Sequence, residues 1–141
     1  MSAPLLDVNT LVALAWPNHL AHRAAAEWFL TTGRREGWAT TPITESGFVR
    51  VSSNRRALPT ATSPQIAASL LTQLCTHGTH EFWADDLRYV ADDTLLGALR
   101  GHRQVTDAHL LALARAHKSH LVTFDGALAA LGGSDVELLT A

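Results

Sequence analysis

Four acidic residues that lie far apart in the sequence occupy equivalent positions relative to the predicted elements. Asp7, Glu45, Asp107 and Asp125 each stand just after or near a predicted strand, or in the first turn of a predicted helix. The residues three and four positions beyond each acid are apolar, or in one case threonine, and these positions share one helix face with the acid. We therefore expect the four carboxylates to follow the core-facing side of their helices and to meet at one end of a sheet.

Helix capping is the structural alternative for each acid. Asp and Glu are favoured in the first helical turn because they bond free backbone N–H groups and complement the helix dipole. Asp125 taken alone fits a structural cap as well as a functional role. Capping explains Glu45 and Asp107 less well, because their faces are predicted to be buried.

Carboxylates that converge in this way need a counter-charge. Two of them about 4 Å apart repel by roughly 4 kcal/mol at an effective dielectric near 20, which is large against a total stability of about 5–15 kcal/mol. Such a cluster takes up protons or binds a cation. All-oxygen ligands suit Mg²⁺ or Mn²⁺, and an acid beside such an ion suits phosphodiester hydrolysis with an activated water.

The elements that must position the acids alternate between strand and helix. Asn9-Thr10, Ser63-Pro64 and Thr106 are predicted helix starts, and Pro42 is predicted to open the helix that carries Glu45. Predicted strands are 5–6, 38–40, 81–83, 120–124 and 136–139; predicted helices are 11–14, 20–30, 42–49, 64–77, 107–117 and 125–131; predicted polar connections are 33–37, 52–59 and 85–93. This alternation predicts an α/β fold with a parallel sheet covered on both faces, whose ligand site lies at the carboxyl ends of the strands.

The composition indicates one globular domain spanning residues 1–141. A hydrophobic fraction of 47% excludes a disordered chain. The net charge is −2, from 11 Lys and Arg against 13 Asp and Glu, which argues against a generally basic nucleic-acid coat or a polybasic membrane binder.

The sequence also predicts where the protein resides. No apolar run approaches the roughly 18 residues that a membrane helix needs, and Asp7 and Asn9 interrupt the apolar character of the N-terminal segment, which lacks the basic region of a secretory signal. We expect no membrane association and a cytoplasmic location. Cys75, the single cysteine, excludes a disulfide framework and a multi-cysteine zinc site, and its place among leucines predicts a buried, unreactive thiol.

Four ordered stretches of the sequence resemble the PIN-domain family, specifically the ribonuclease toxins of VapBC toxin–antitoxin pairs. The stretches are Leu5-Leu6-Asp7-Val8-Asn9-Thr10-Leu11-Val12-Ala13-Leu14, Pro42-Ile43-Thr44-Glu45, Val105-Thr106-Asp107-Ala108-His109-Leu110 and Leu121-Val122-Thr123-Phe124-Asp125. Each stretch alone is short, but their order and spread cover nearly the whole chain.

The resemblance implies a three-layer α/β/α fold with a parallel sheet of about five strands. It implies a Mg²⁺- or Mn²⁺-dependent endoribonuclease that cuts tRNA or rRNA, is inhibited by a small cognate antitoxin and forms a homodimer. It makes Asp7, Glu45, Asp107 and Asp125 the catalytic quartet, with the metal on Asp7, Asp107 and Asp125. Asn9 and Thr123 match polar positions that support the quartet.

Other residues have weaker functional interpretations. Arg50, Arg55 and Arg56 could contact RNA phosphates, although an ordinary solvated loop explains them slightly better. His109 stands close enough to Asp107 to contact a substrate. A second acidic group is interpreted as a solvated loop; its members are Asp85, Asp86, Asp92 and Asp93.

Two other functions remain open at this point. A phosphatase of the haloacid dehalogenase type is the first, because Asp7-Val8-Asn9-Thr10 partly resembles its nucleophile loop. That pattern requires a second Asp where Asn9 stands, and a downstream lysine for which Lys118 has poor context. The second is a non-catalytic PIN-fold module that binds RNA or a protein, in which the repulsive acids would have no use.

Overall fold

A five-stranded parallel sheet lies at the centre of the part of the chain that the computed structural model describes, residues 2–89 and 93–141. Its strands are β1 (Leu5–Leu6), β2 (Trp38–Thr40), β3 (His80–Phe82), β4 (Leu121–Thr123) and β5 (Val136–Leu138). They lie in the order β3-β2-β1-β4-β5, and every neighbouring pair is parallel. Parallel pairing needs a crossover between strands, which helices provide.

The helices cover both faces of this sheet. They are α1 (Val8–Ala15), α2 (His22–Trp28), α3 (Arg34–Glu36), α4 (Pro42–Ser52), α5 (Pro64–Leu74), α6 (Asp93–Gly97), α7 (Val105–Ala116) and α8 (Gly126–Gly132). A π-helical turn, Phe29–Gly33, joins α2 to α3, and 3-10 turns occupy His102–Gln104 and Gly133–Asp135. The predicted three-layer α/β/α class with five parallel strands is confirmed.

Two hydrophobic cores lie on opposite faces of the sheet, because successive side chains of a strand point to opposite faces. Leu5 and Leu121 pack with residues of α7 and α8, whereas Leu6 and Val122 pack with residues of α1, α4 and α5. All four are fully buried. Burial on both faces explains why these strands are continuously apolar rather than alternating.

The order of the strands reverses between β1 and β4. The chain builds β2 and β3 on one side of β1 and then returns to place β4 on the other side. Such a reversal opens a crevice at the carboxyl ends of the two strands, which is where open parallel sheets bind ligands. Asp7 directly follows β1, and Asp125 follows β4 by two residues, so the topology brings both acids to this crevice.

Helix starts near the crevice differ from the prediction in two places. Asp7, and not Asn9 or Thr10, is the N-cap of α1, because the first polar side chain after the strand already accepts the backbone N–H of Thr10. Helix α7 begins before the predicted cap, so Thr106 lies inside its first turn. The 3-10 turn in front of α7 provides the entry that a capping side chain was expected to provide.

The other helix boundaries follow the prediction more closely. Pro42 and Pro64 open α4 and α5, behind the capping side chains of Thr41 and Ser63. The predicted polar connection at 33–37 is partly helical, because α3 continues the π-helical turn until Gly37, whose φ of 81° ends it. No helix within the described ranges is both long and apolar enough to span a membrane.

Candidate active site

Asp7 lies at the carboxyl end of β1 with only 5% of its surface exposed. Thr10 donates two hydrogen bonds to its Oδ1, from the backbone N at 2.9 Å and from the hydroxyl at 2.6 Å. The Thr123 hydroxyl donates to Oδ2. Burial raises the pKa of Asp7, and the bonds from Thr10 and Thr123 oppose part of that rise. Three donors directed at two oxygens hold this carboxylate in one orientation.

Asp125 and Asp107 lie at the N-termini of two other helices beside the crevice. Asp125 is the N-cap of α8 and accepts two backbone N–H groups of the first turn, at 2.9 and 3.3 Å. Its own backbone N donates to the Thr123 oxygen at 3.0 Å, so Thr123 connects Asp125 to Asp7. Asp107 is half-buried in the first turn of α7.

These three acids repel one another. Burial, followed by the charges of Asp7 and Asp125, raises the pKa of Asp107 to about 6, and the charge of Asp125 also raises the pKa of Asp7. Among the described residues, none of the three takes part in an ion pair. We refer to Asp7, Asp107 and Asp125 as the acid cluster. It concentrates negative charge at the crevice, and hydrogen-bond donors and helix N-termini are its compensation there.

Glu45 makes its contacts on the β2–β3 side of the acid cluster. Its Oε2 accepts a hydrogen bond from the hydroxyl of Thr40, the last residue of β2, at 2.7 Å. Ligand atoms of Glu45, Cys75 and His80 all lie within 4.8 Å of one another, and we refer to these three residues as the mixed cluster. The structure therefore joins three of the four predicted acids electrostatically and places the fourth in a neighbouring group.

Cys75 is half-buried beside charged and polar groups, and the prediction of a buried thiol among leucines was incomplete. Burial, and then the charge of Glu45, raises the pKa of the thiol to about 11. Burial also lowers the pKa of His80, against the opposing charges of Glu45 and Glu81. At neutral pH, the mixed cluster of the free protein therefore holds a protonated thiol and a neutral imidazole.

The two polar residues expected to support the quartet lie in different surroundings. Thr123 is fully buried and contacts both Asp7 and Asp125 through its hydroxyl. Asn9 is exposed and lines a separate groove with His19 and Leu139.

The predicted phosphate-binding arginines are all exposed. Arg50 lines a groove of about 720 Å³ together with Glu45 and Cys75. Arg55 and Arg56 lie in the turn after α4 and are not among the residues that line this groove. Arg50 is thus the arginine that the fold places beside a predicted acid.

His109 is held inside the protein instead of facing a substrate. It is 4% exposed, its Nε2 lies 2.6 Å from Asp85 Oδ1, and its ring stacks on Tyr89 at 4.1 Å between centroids. Asp85, interpreted as part of a solvated loop, therefore fastens that loop to α7. Asp93 of the same acidic group begins α6, and Asp92 lies outside the described residues.

The lysine that a haloacid-dehalogenase mechanism requires does not reach the crevice. Lys118 is exposed and follows the C-terminus of α7, whereas Asp107 lies at the N-terminus of the same helix. Twelve helical residues separate the two ends by roughly 18 Å. The phosphatase interpretation therefore lacks its cation.

The donor set of the acid cluster fits a hard divalent cation. The donor atoms that its side chains offer are all carboxylate oxygens. A cation would neutralise the negative charges that make these groups repel one another. Within the part of the chain that the structure describes, only the mixed cluster brings three ligand atoms within 4.8 Å of one another. The acid cluster is therefore more open, which suits Mg²⁺ because this ion retains several of its waters.

Sequence reasoning missed three residues of this region: Thr10, Thr40 and His80. Thr10 was predictable, because an Asp at the N-cap accepts a hydrogen bond from the backbone N–H of the residue three positions later. Thr40 and His80 have no such signal. They meet because β2 and β3 are neighbours in register, with Trp38 opposite His80 and Thr40 opposite Phe82, and this pairing is a tertiary property.

Comparison with known proteins gives relatives along almost the whole chain. The sequence model of the PIN domain matches residues 5–133. Ribonuclease VapC39 of Mycobacterium tuberculosis is 51% identical over 128 residues, which is 89% of this chain and 90% of the relative. Ribonuclease VapC38 of the same organism is 51% identical over 140 residues, or 96% and 97% of the two chains. Ribonuclease VapC44, also from that organism, is 44% identical over 128 residues, or 89% and 87%.

The region matched by the family model includes β1 through α8, and with them both the acid cluster and the mixed cluster. Its extent agrees with the three-layer fold and with the acids at the crevice. The chain belongs to the PIN-domain family.

Proposed function

We propose that this chain is the endoribonuclease toxin of a toxin–antitoxin pair and that it hydrolyses RNA phosphodiester bonds at the acid cluster. The observation that carries the proposal is the convergence of Asp7, Asp107 and Asp125 at the strand reversal, where burial and mutual repulsion raise the pKa of Asp107 to about 6. The ribonuclease names of the relatives support RNA as the substrate.

The acid cluster would hold a divalent cation, with Mg²⁺ or Mn²⁺ as the ion that its oxygen donors favour. When bound, such an ion neutralises charge on the phosphate and increases the acidity of a water. Asp7 is the anchor of this site because Thr10 and Thr123 fix both of its oxygens. Asp107 and Asp125 add negative charge close enough to affect each other's or Asp7's pKa.

Glu45 is proposed as the residue that orients or deprotonates the attacking water. Thr40 fixes Oε2 of Glu45, which leaves Oε1 as the atom that accepts the proton. Arg50 lies on the groove that Glu45 also lines, so it is placed to contact a phosphate of the RNA, and Arg55 and Arg56 would extend that contact. We assign tRNA or rRNA as the RNA class.

The proposal extends to partners and setting. A small cognate antitoxin would inhibit the chain, the active form would be a homodimer, and the pair would act in the cytoplasm. Residues 1–141 would act as one domain, since both hydrophobic cores share the same five-stranded sheet.

The direct test compares RNA ends in cells that express the wild-type chain with those in cells that express Asp7→Asn. Purified proteins are then assayed for cleavage with Mg²⁺ or Mn²⁺ and with EDTA. Asp86→Asn is the matched control, because Asp86 is exposed and lies outside the acid cluster. We expect new ends from the wild type and the control and none from Asp7→Asn. A folded Asp7→Asn protein that cuts at the wild-type rate would contradict the assignment, and so would full activity in EDTA.

A further inference from the structure

The mixed cluster contains the three kinds of ligand that zinc prefers. Glu45 offers a carboxylate oxygen, Cys75 a sulfur and His80 a ring nitrogen, all within 4.8 Å of one another and all half-buried. Zn²⁺ binds these donors tetrahedrally, with three protein ligands where one position stays open. We propose that Glu45, Cys75 and His80 form a Zn²⁺ site that is separate from the acid cluster.

The spacing of the sulfur and the nitrogen matches a shared tetrahedral ion. A Zn–S bond of about 2.3 Å and a Zn–N bond of about 2.0–2.1 Å, at a tetrahedral angle, separate the two atoms by about 3.6 Å. Cys75 Sγ lies 3.6 Å from His80 Nε2. The spacing of this pair is therefore compatible with one shared ion.

Three different elements hold the ligands in place. Glu45 lies on α4, Cys75 is the C-cap residue of α5, and His80 is the first residue of β3. The ring of His80 packs against Trp38 at 4.7 Å between centroids, which directs Nε2 toward Cys75 and Thr40. The negative end of the α5 dipole also favours a cation beside Cys75.

Zinc binding requires proton movement at Cys75 and at His80. The Cys75 thiol releases its proton to solvent as the Zn–S bond forms. In the free protein the Thr40 hydroxyl donates to Glu45 and therefore accepts from His80 Nε2 at 2.7 Å. His80 binds zinc as the neutral imidazole through Nε2, so binding moves the ring proton to Nδ1 and replaces the bond to Thr40. Glu45 and Cys75 line a groove, so water or a ligand in that groove would supply the fourth donor.

The donor chemistry separates this site from the acid cluster. Sulfur and imidazole select zinc and similar ions, whereas carboxylates with water select Mg²⁺ and Mn²⁺. Glu45 belongs to the mixed cluster in the structure and to the catalytic quartet in the proposed function. If that proposed function holds, zinc occupancy withdraws Glu45 from the reaction and inhibits RNA cleavage.

Cobalt provides the test of the site, because tetrahedral Co²⁺ bound by a thiolate gives a charge-transfer absorption band. Cys75 is the single cysteine, so any such band reports this site. We expect one Co²⁺ per chain with the band in the wild type, loss of the band when Zn²⁺ is added, and no band in Cys75→Ser. His80→Gln should weaken binding by more than the roughly 10–100-fold that loss of a group supporting a ligand costs.

Matched variants separate this result from unfolding and from adventitious binding. His77→Gln changes an exposed histidine near Cys75 and should leave the band unchanged, and circular dichroism checks that each variant is folded. Protection of wild-type Cys75 from alkylation by Zn²⁺ gives a second measurement that needs no variant. Absence of the band in the wild type, or an alkylation rate that Zn²⁺ does not change, would overturn the site.

Inhibition of RNA cleavage by Zn²⁺ is tested separately from zinc binding. Zn²⁺ should inhibit Mg²⁺-dependent cleavage by the wild type, and Cys75→Ser should be active and resistant. Asp7→Asn should lose cleavage and keep the cobalt band, so a failure of the proposed ribonuclease activity leaves the zinc site testable. Equal inhibition of the wild type and Cys75→Ser would show that zinc acts elsewhere, for example at the acid cluster.

Discussion

The acid cluster and the mixed cluster lie beside different strand pairs of one sheet, and they differ in how the backbone treats negative charge. Asp7 and Asp125 cap α1 and α8, and Asp107 lies in the first turn of α7. Each faces the positive end of a helix dipole, an effect of about 0.3–1 kcal/mol per group. In the mixed cluster, Glu45 likewise lies in the first turn of a helix, α4. Cys75 differs, because it closes the C-terminus of α5, where the dipole opposes a thiolate and favours a bound cation.

This difference explains how a protein can keep three mutually repelling carboxylates before any cation binds. The helix N-termini and the Thr10 and Thr123 hydroxyls compensate part of the repulsion. Asp7 and Asp125 are therefore structural caps and candidate ligands at once, and the two interpretations of Asp125 are compatible. In the mixed cluster, burial keeps Cys75 as the thiol and His80 as the neutral imidazole at pH 7, because it raises the pKa of the first and lowers the pKa of the second.

The largest expected difference between the clusters is in RNA cleavage. Asp107→Asn removes a charge from the acid cluster and should reduce Mg²⁺-dependent cleavage by about 10²–10⁴-fold. Cys75→Ser should change it little when zinc is absent. Initial rates on one RNA with purified proteins check this, and similar losses in the two variants would remove the functional distinction between the clusters.

A glycine sets how closely α4, which carries Glu45, approaches α1, which carries Asp7 at its cap. A Cβ on Gly47 would lie 2.4 Å from Cγ2 of Val8, so Gly47→Ala should push α4 away from α1. We expect a loss of about 1–3 kcal/mol in the free energy of unfolding, together with reduced cleavage. Urea denaturation measures the first effect, and an unchanged midpoint would mean that Val8 moves aside without cost.

Removal of the carboxylate should affect stability differently within the acid cluster itself. Asp7→Ala deletes a helix cap and leaves the buried hydroxyl of Thr123 without its acceptor, while the Thr10 hydroxyl keeps the Val122 carbonyl as an acceptor. We therefore expect a loss of about 0.5–2 kcal/mol in EDTA. Asp107→Ala should be neutral or stabilising there, because it relieves repulsion and breaks no cap. Melting temperatures of the two variants in EDTA test the contrast. A lower melting temperature for Asp107→Ala than for Asp7→Ala would reverse it.

A pH dependence is also expected in the metal-free protein. The pKa of Asp107 is about 6 in the folded chain and 3.8 in its unperturbed state, so the folded state binds the proton more tightly. Its destabilising effect is fully present above about pH 6 and disappears as the pH falls toward 4. The melting temperature of Asp107→Asn should therefore exceed that of the wild type at pH 7.5 in EDTA, and the gap should close on acidification. A gap that stays constant with pH would assign the difference to another cause.

Much of this fold follows from local sequence signals. Pro42 and Pro64 predict helix starts, and the apolar pairs around Leu5 and Val122 predict buried strands. The alternation of strands and helices predicts that the sheet is parallel. A parallel sheet in turn predicts that Asp7 and Asp125 meet at the carboxyl ends of its strands, whereas the reversal between β1 and β4 is seen only in the structure. Capping was harder to predict, because Asp7 competes with Asn9 and Thr10 for the same N–H groups.

The neighbourhood of Glu45 could not be predicted in the same way. His80 and Cys75 approach it only because β3 pairs beside β2 and because α5 ends against that pair. These are contacts between elements, with no spacing rule in the sequence. The resemblance placed Glu45 with the other acids, and the structure adds a sulfur and an imidazole as its immediate neighbours.

The shortness of β1 limits which changes this region can accept. Leu5 and Leu6 are its whole length, they serve opposite cores, and Asp7 begins immediately afterward. One extra residue between Leu6 and Asp7 would leave both leucines in place yet turn the carboxylate away from Thr123. One extra residue between Leu5 and Leu6 would turn one of the two leucines to the opposite face of the sheet. The segment can therefore tolerate replacement of its side chains far better than a change in its length.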